Sequence, residues 1–134
     1  MTVQRCYGVL EKAAVEAAPD PVKLNYPGVT ELPQWQMRVL STTTKQIANG
    51  PYIFTVVPEG TVVVRSRLPG DEMRLSGGTK SLKKLFIDKK IPATQRDKVP
   101  VLADDKGVLA VFGLGVNLDR VPPEGNGISF LFVK

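Results

Sequence analysis

Apolar and polar positions alternate along much of this chain, and the alternation predicts strands more often than helices. Gln4 to Glu11 reads as a strand. Ala13 to Ala18 favours helix by composition, but Pro19-Asp20-Pro21 cuts it short. Val22 to Tyr26 is a strand closed by a Pro27-Gly28 turn, and Gln34 to Leu40 alternates around Trp35, Met37 and Val39. Ser41 to Gly50 is polar and predicts a loop or a weak edge. Tyr52 to Val57 and Thr61 to Arg67 are β-branched and aromatic runs around Pro58-Glu59-Gly60, which predicts a hairpin. Leu68-Pro69-Gly70-Asp71 is a turn. Val99 to Ala103 and Val108 to Phe112 predict a second hairpin around Asp104-Asp105-Lys106-Gly107, and Ile128 to Val133 a closing strand.

The period changes once. From Thr79 to Lys90 the spacing predicts a helix, with Leu82, Leu85 and Phe86 at i, i+3 and i+4 as its buried stripe. Lys80, Lys83 and Lys84 share that spacing on another face, so three ammonium groups are expected on one side. Ile91-Pro92 ends the helix, and Pro92 opens a helical turn over Ala93 to Lys98. The class is α+β: a mostly antiparallel, β-sandwich-like core carrying one or two short helices. Residues 1–60 are expected to pack as a β-rich segment against 61–134, so that all 134 residues make one compact unit.

Composition narrows the chemistry. Histidine is absent, so no Ser-His-Asp or Cys-His arrangement and no histidine metal ligand exists in this sequence. The single cysteine, Cys6, excludes an internal disulfide and reads as a small packed residue between Arg5 and Tyr7. No run approaches the ~20 apolar residues of a membrane span, and the first residues lack a signal-peptide pattern. A cytoplasmic location is the expectation.

Charge adds a direction. Between Arg65 and Lys106 stand eleven cationic and six anionic residues, which accounts for the whole net charge of +5. Such concentration points to a polyanion, and nucleic acid suits it better than a membrane, because the apolar face of the lysine helix is short and lacks tryptophan. A solvated lysine face is the plainer alternative.

Three motifs suggest nucleotide or metal chemistry and fail. Ser76-Gly77-Gly78 resembles the start of an SGGxDS pyrophosphate loop, but Lys80 stands where the aspartate belongs. Thr79 separates Gly78 from Lys80, which breaks the phosphate-loop pattern. Gly113-Leu114-Gly115 lacks the third glycine of a dinucleotide fingerprint, since Leu118 occupies it. Asp104-Asp105 reads as a turn rather than a cation site, so no metal ligand is assigned. A chain with a local basic excess and no catalytic constellation reads as a binding module.

Taken together, the residues from Val63 onward resemble the C-terminal region of bacterial tRNA(Ile)-lysidine synthetase. Val64-Arg65-Ser66-Arg67-Leu68-Pro69-Gly70-Asp71 is similar to its R-x-R-x-P-G-D signature, and Gly78-Thr79-Lys80-Ser81-Leu82-Lys83-Lys84-Leu85-Phe86 to its K-x-L-K-K-x-F helix. Ile91-Pro92, Arg96-Asp97 and Val99-Pro100-Val101-Leu102 are similar to its IP…RD…PVL segment, and Gly107 to Gly113 to the following strand. More weakly, Arg5 to Leu10 and Tyr26-Pro27-Gly28 resemble the segment that leads into this region. The resemblance implies a fold similar to a tRNA-binding-type domain of the phenylalanyl-tRNA synthetase β subunit. It implies that the full-length enzyme adenylates the wobble cytidine of tRNA(Ile) with ATP and magnesium in a separate N-terminal catalytic domain, and that lysine then displaces AMP. This chain would then hold no cofactor and do no catalysis by itself. Its implied partners are the tRNA(Ile) acceptor region and the catalytic domain of its own chain, with a homodimer as a further option.

The residues carry two readings each. Gly70, Asp71 and Pro92 are assigned structural roles, with Asp71 accepting backbone N–H bonds at the turn. Arg65 and Arg67 share a strand face by period two, and either can pair with Asp71 or meet phosphate. Arg96 has a local ion pair with Asp97 as its alternative to RNA. The candidate RNA-binding set is Lys80, Lys83, Lys84, Arg65, Arg74 and Arg96, acting on phosphate and shape rather than base edges. The rival readings are a basic module that docks an acidic protein or another domain of its own chain, and an enzyme working through carboxylates such as Asp71 and Asp97.

Overall fold

A computed structural model of the chain describes residues 20–123 and 126–134. The strand expected at Gln4 to Glu11, the short helix at Ala13 to Ala18 and the packed Cys6 lie outside them. Eleven strands are described: β1 (Val22–Lys23), β2 (Gly28–Leu32), β3 (Met37–Thr44), β4 (Ile53–Val56), β5 (Val63–Arg65), β6 (Glu72–Leu75), β7 (Gly78–Ser81), β8 (Val101–Asp104), β9 (Gly107–Val111), β10 (Gly115–Val116) and β11 (Gly127–Val133). One α-helix, α1 (Leu82–Asp88), and three 3-10 helices (Pro33–Trp35, Ala93–Lys98, Leu118–Arg120) complete the described elements.

The strands form three antiparallel sheets. The five-stranded sheet has the order β10-β9-β8-β5-β1, the four-stranded sheet β2-β3-β11-β4, and β6-β7 is a hairpin. The larger two sheets share one core. Phe54, Val39, Phe130 and Phe132 come from the four-stranded sheet, and Val64, Leu102, Leu109 and Ala110 from the five-stranded one. This is sandwich packing. Trp35 joins that core and donates its indole N–H to Lys98 O at 3.1 Å, so its polar atom is satisfied.

The five-stranded sheet is apolar on its second face too. Val101, Val108 and Val111 turn away from the shared core and pack on Met73, Leu82, Leu85 and Phe86. Hence Val-Leu-Ala and Val-Leu-Ala-Val are continuous apolar runs, as strands covered on both faces require. The helix stripe expected from spacing is the anchor of this second core: Leu82, Leu85 and Phe86 are all buried.

Several expectations are corrected. Tyr52 to Val57 and Thr61 to Arg67 do not form a hairpin. β4 pairs with β11, β5 pairs with β8 and β1, and the Pro58-Glu59-Gly60 segment crosses between sheets. Ser41 to Thr44 is not a loop: it continues β3, with Ser41 facing both β2 and β11 and Thr42 to Thr44 pairing with β11 alone, while Lys45 to Gly50 lies outside any strand as a loop. The helix starts at Leu82 rather than Thr79, because Gly78–Ser81 pairs with Glu72–Leu75 (Met73 faces Lys80). Ser81 then serves as the N-cap, its hydroxyl accepting the Lys84 N–H at 3.2 Å. The Val101–Val111 hairpin and the long closing strand stand as expected.

Candidate nucleic-acid interface

The Arg65-to-Asp71 segment builds its own scaffold. Arg65 leaves β5 and binds the Asp71 carboxylate with two N–H groups, at 2.8 and 3.1 Å. Both side chains are nearly out of water, at 13% and 11% exposure. Asp71 Oδ2 also accepts the Leu68 N–H at 2.7 Å, and the Asp71 N–H returns to Leu68 O at 3.1 Å. Leu82 N–H donates to Asp71 O at 2.9 Å, which fastens the turn to the start of α1. Gly70 closes the turn at φ +87°, in the left-handed region. A Cβ there would meet nothing within 4 Å, so Gly70→Ala is a purely conformational change. It is expected to cost about 1–2 kcal/mol, read as a lower urea midpoint.

Neighbouring segments lock onto this turn. The Ser66 hydroxyl donates to Asp97 O at 2.5 Å, and Arg67 Nε donates to Asp97 Oδ1 at 3.1 Å. The Arg67 guanidinium also lies 5.7 Å from the centre of the Phe86 ring. Asp97 therefore pairs with Arg67, not with Arg96 beside it. Arg96 Nε instead donates to Ile91 O at 2.9 Å, which ties the 3-10 helix back to the end of α1.

The result is a cleft of about 580 Å³ lined by Arg67 to Asp71, Ser81, Lys83, Arg96 and Asp97. Three segments far apart in sequence meet there. Of the six cations selected from sequence, the cleft brings together Lys83 and Arg96. Lys84 is exposed on the same helix. Arg65 is turned into the Asp71 pair. Arg74, on the β6-β7 hairpin, faces Asp119 at 3.4 Å away from the cleft. Lys80 is on β7 and not on the helix; its ammonium reaches Asp88 at 2.6 Å. The hydrogen bond from Lys80 holds the Asp88 carboxyl below its ordinary value; desolvation opposes it, and the charges of Lys80, Lys84 and Lys89 add to it.

Two lysines absent from the sequence-selected set follow the same helix. Lys89 caps the C-terminus of α1, and exposed Lys90 follows it at φ +59°. Among the described residues, no hydrogen bond or ion pair engages the side-chain ammonium groups of Lys83, Lys84, Lys89 or Lys90, although the charges of Lys84 and Lys89 act on Asp88. The signal was available in the sequence as the continuation of the same basic run.

Asp104 is excluded as a cation ligand by its surroundings. Arg120 binds both its oxygens, and the N–H groups of Glu59, Lys106 and Gly107 donate to it at 2.6, 2.9 and 3.2 Å.

Residues 62–128 match the family model described as TilS substrate C-terminal domain. The chain belongs to this family. The tRNA(Ile)-lysidine synthase of Clostridioides difficile strain 630 is 45% identical over 53 residues, covering 40% of this chain and 12% of that protein. The bifunctional protein TilS/HprT of Listeria monocytogenes serotype 4b is 50% identical over 48 residues, covering 34% and 7%. The chain thus spans a small part of the curated relatives it matches. A crystal structure of a TILS C-terminal domain superposes with a TM-score of 0.68 at 28% identity, covering 85% of this chain and 97% of that one. This TilS C-terminal domain is accordingly built of antiparallel sheets with few short helices, and no described helix is long and apolar enough to cross a membrane.

Proposed function

We propose that this chain is a non-catalytic tRNA-binding domain of a tRNA(Ile)-lysidine synthase. It contacts the acceptor region, while a separate N-terminal domain with ATP and magnesium makes lysidine in the cytoplasm. The kinship with a tRNA-binding-type domain of the phenylalanyl-tRNA synthetase β subunit belongs to the same proposal. The observation that carries it is the convergence of the three signature segments on one cleft lined by Arg67, Lys83 and Arg96. Ammonium and guanidinium groups so placed suit phosphates along an RNA strand, which they position without reading sequence.

The test is a tRNA(Ile) titration at several salt concentrations. Each phosphate contact contributes about 0.7 to 0.9 to the slope of log affinity on log salt, so three or more contacts give a slope steeper than about −2. A flat slope overturns the proposal. The same preparation, given ATP and labelled lysine, is expected to incorporate none into tRNA.

One observation favours a second reading, docking to the rest of its own chain or to a second copy. Val29, Leu40, Leu131 and Ile53 are cross-strand neighbours and form an apolar row over the outer face of the four-stranded sheet. Val29 and Leu40 are exposed there. Retention of tRNA affinity after Leu40→Lys, with loss of binding to the catalytic domain or of self-association, separates this surface from the cationic cleft.

A further inference from the structure

The 3-10 helix Ala93–Lys98 has a second cleft on its other side. It measures about 580 Å³ and differs in chemistry from the cationic one. Its lining is mainly apolar and flat: Tyr52, Phe112, Leu114, Pro92 and Pro100, with the Gln95 amide at the polar side. Tyr52 is half exposed, and its ring centre lies 4.9 Å from that of Phe112. Phe112 in turn packs 5.6 Å from Phe132 of the core. The backbone around Tyr52 is fixed on both sides, since Gly113 N–H donates to Pro51 O at 2.7 Å and Phe132 N–H to Tyr52 O at 2.9 Å. The ring is thus an aromatic platform held in place before any ligand arrives.

We propose that this groove binds an unpaired nucleobase at the 3′ end of the tRNA acceptor arm, stacked on Tyr52, while the cationic cleft holds phosphates of the same arm. The inference rests on the tRNA-binding reading above. Two features support this occupant over an apolar protein segment. The groove and the cation-lined cleft share one short helix, with Gln95 and Lys98 toward the groove and Arg96 and Asp97 toward the cleft. A nucleotide strand presents alternating flat faces and anionic links, which is the pattern this pair of clefts complements. Gln95 offers both a donor and an acceptor to a base edge. Pro92, the N-cap of the 3-10 helix, lines the groove beside Gln95.

The experiment uses the whole chain and an acceptor-arm minihelix RNA, with and without its unpaired 3′ nucleotides. Removing those nucleotides is expected to weaken binding about tenfold, in the range of one base stacked on an aromatic ring. Tyr52→Ala is expected to cause a similar loss with the complete RNA and little further loss with the trimmed one, and Tyr52→Phe to restore binding. With the complete RNA, Tyr52→Ala and Tyr52→Phe leave the salt slope at the wild-type value, because neither substitution removes a phosphate contact. Equal affinity for complete and trimmed RNA overturns the base site and leaves the tRNA-binding reading intact. Independent, additive losses from trimming and from Tyr52→Ala also overturn it. Absence of salt-dependent binding to either RNA overturns both.

Discussion

Arg120→Ala is expected to lower the unfolding free energy by about 3–5 kcal/mol, the cost of leaving a buried charge without its partner. The Asp104 side chain is fully buried and that of Arg120 only 12% exposed. Their pair also bridges the two large sheets. Asp104 ends β8, and Arg120 donates to Val57 O at 3.3 Å just beyond β4, while Val57 N–H returns to Arg120 O at 2.8 Å. Without the guanidinium, Asp104 keeps only backbone donors in a buried place. Urea unfolding at neutral pH measures the loss. A change below about 0.5 kcal/mol would mean that the pair does not hold the sheets together.

The same pair sets an acid limit. Burial pushes the Asp104 carboxyl up, but the hydrogen bonds from Arg120, Glu59 and Lys106 and the Arg120 charge outweigh it, so its pKa lies below the ordinary 3.8. A depressed folded value contributes stability that is complete above the unfolded value and lost as pH falls through the folded one. Wild-type stability is therefore expected to fall below about pH 4 partly through Asp104. In Arg120→Ala the opposing push of burial remains, so that part of the acid slope flattens.

Local pattern carried the elements whose partners are near in sequence. The Val101–Val111 hairpin needs only two apolar runs and a turn, and the Leu82-Leu85-Phe86 stripe needs only helical spacing. Failures came where a distant strand decides. Tyr52 to Arg67 looks like a hairpin because two β-prone runs flank a Pro and a Gly, yet β11 and β8 recruit the runs into different sheets. Gly78–Ser81 has no strong preference of its own, and pairing with Glu72–Leu75 makes it a strand. This moved Lys80 off the helix. The same limit applies to the candidate site. The bond between Arg65 and Asp71, six residues apart, stood among the open readings. The pairing of Arg67 with Asp97 and of Arg120 with Asp104 depends on long-range folding, and no spacing rule announces it.

The lysines around α1 give the largest expected effect on RNA. Lys83 and Lys84 project from the face opposite Leu82, Leu85 and Phe86, and Lys89 and Lys90 extend the basic surface past the helix end. Replacing all four by glutamine keeps side-chain length and near-native helix preference while removing the charges. If each meets a phosphate, the log–log salt slope is expected to flatten by about three units. Between 50 and 200 mM salt, wild type would then lose about sixtyfold more affinity than the variant. Preference among tRNAs should change little, since phosphate contacts carry no sequence information. Lys80→Gln separates the folded arrangement from the helical one expected from spacing. Lys80 already neutralises Asp88 at 2.6 Å, so its loss should flatten the slope less than any one of the four. A quadruple variant with wild-type slope would make these lysines a solvated face and confine RNA contact to Arg67 and Arg96 in the cleft.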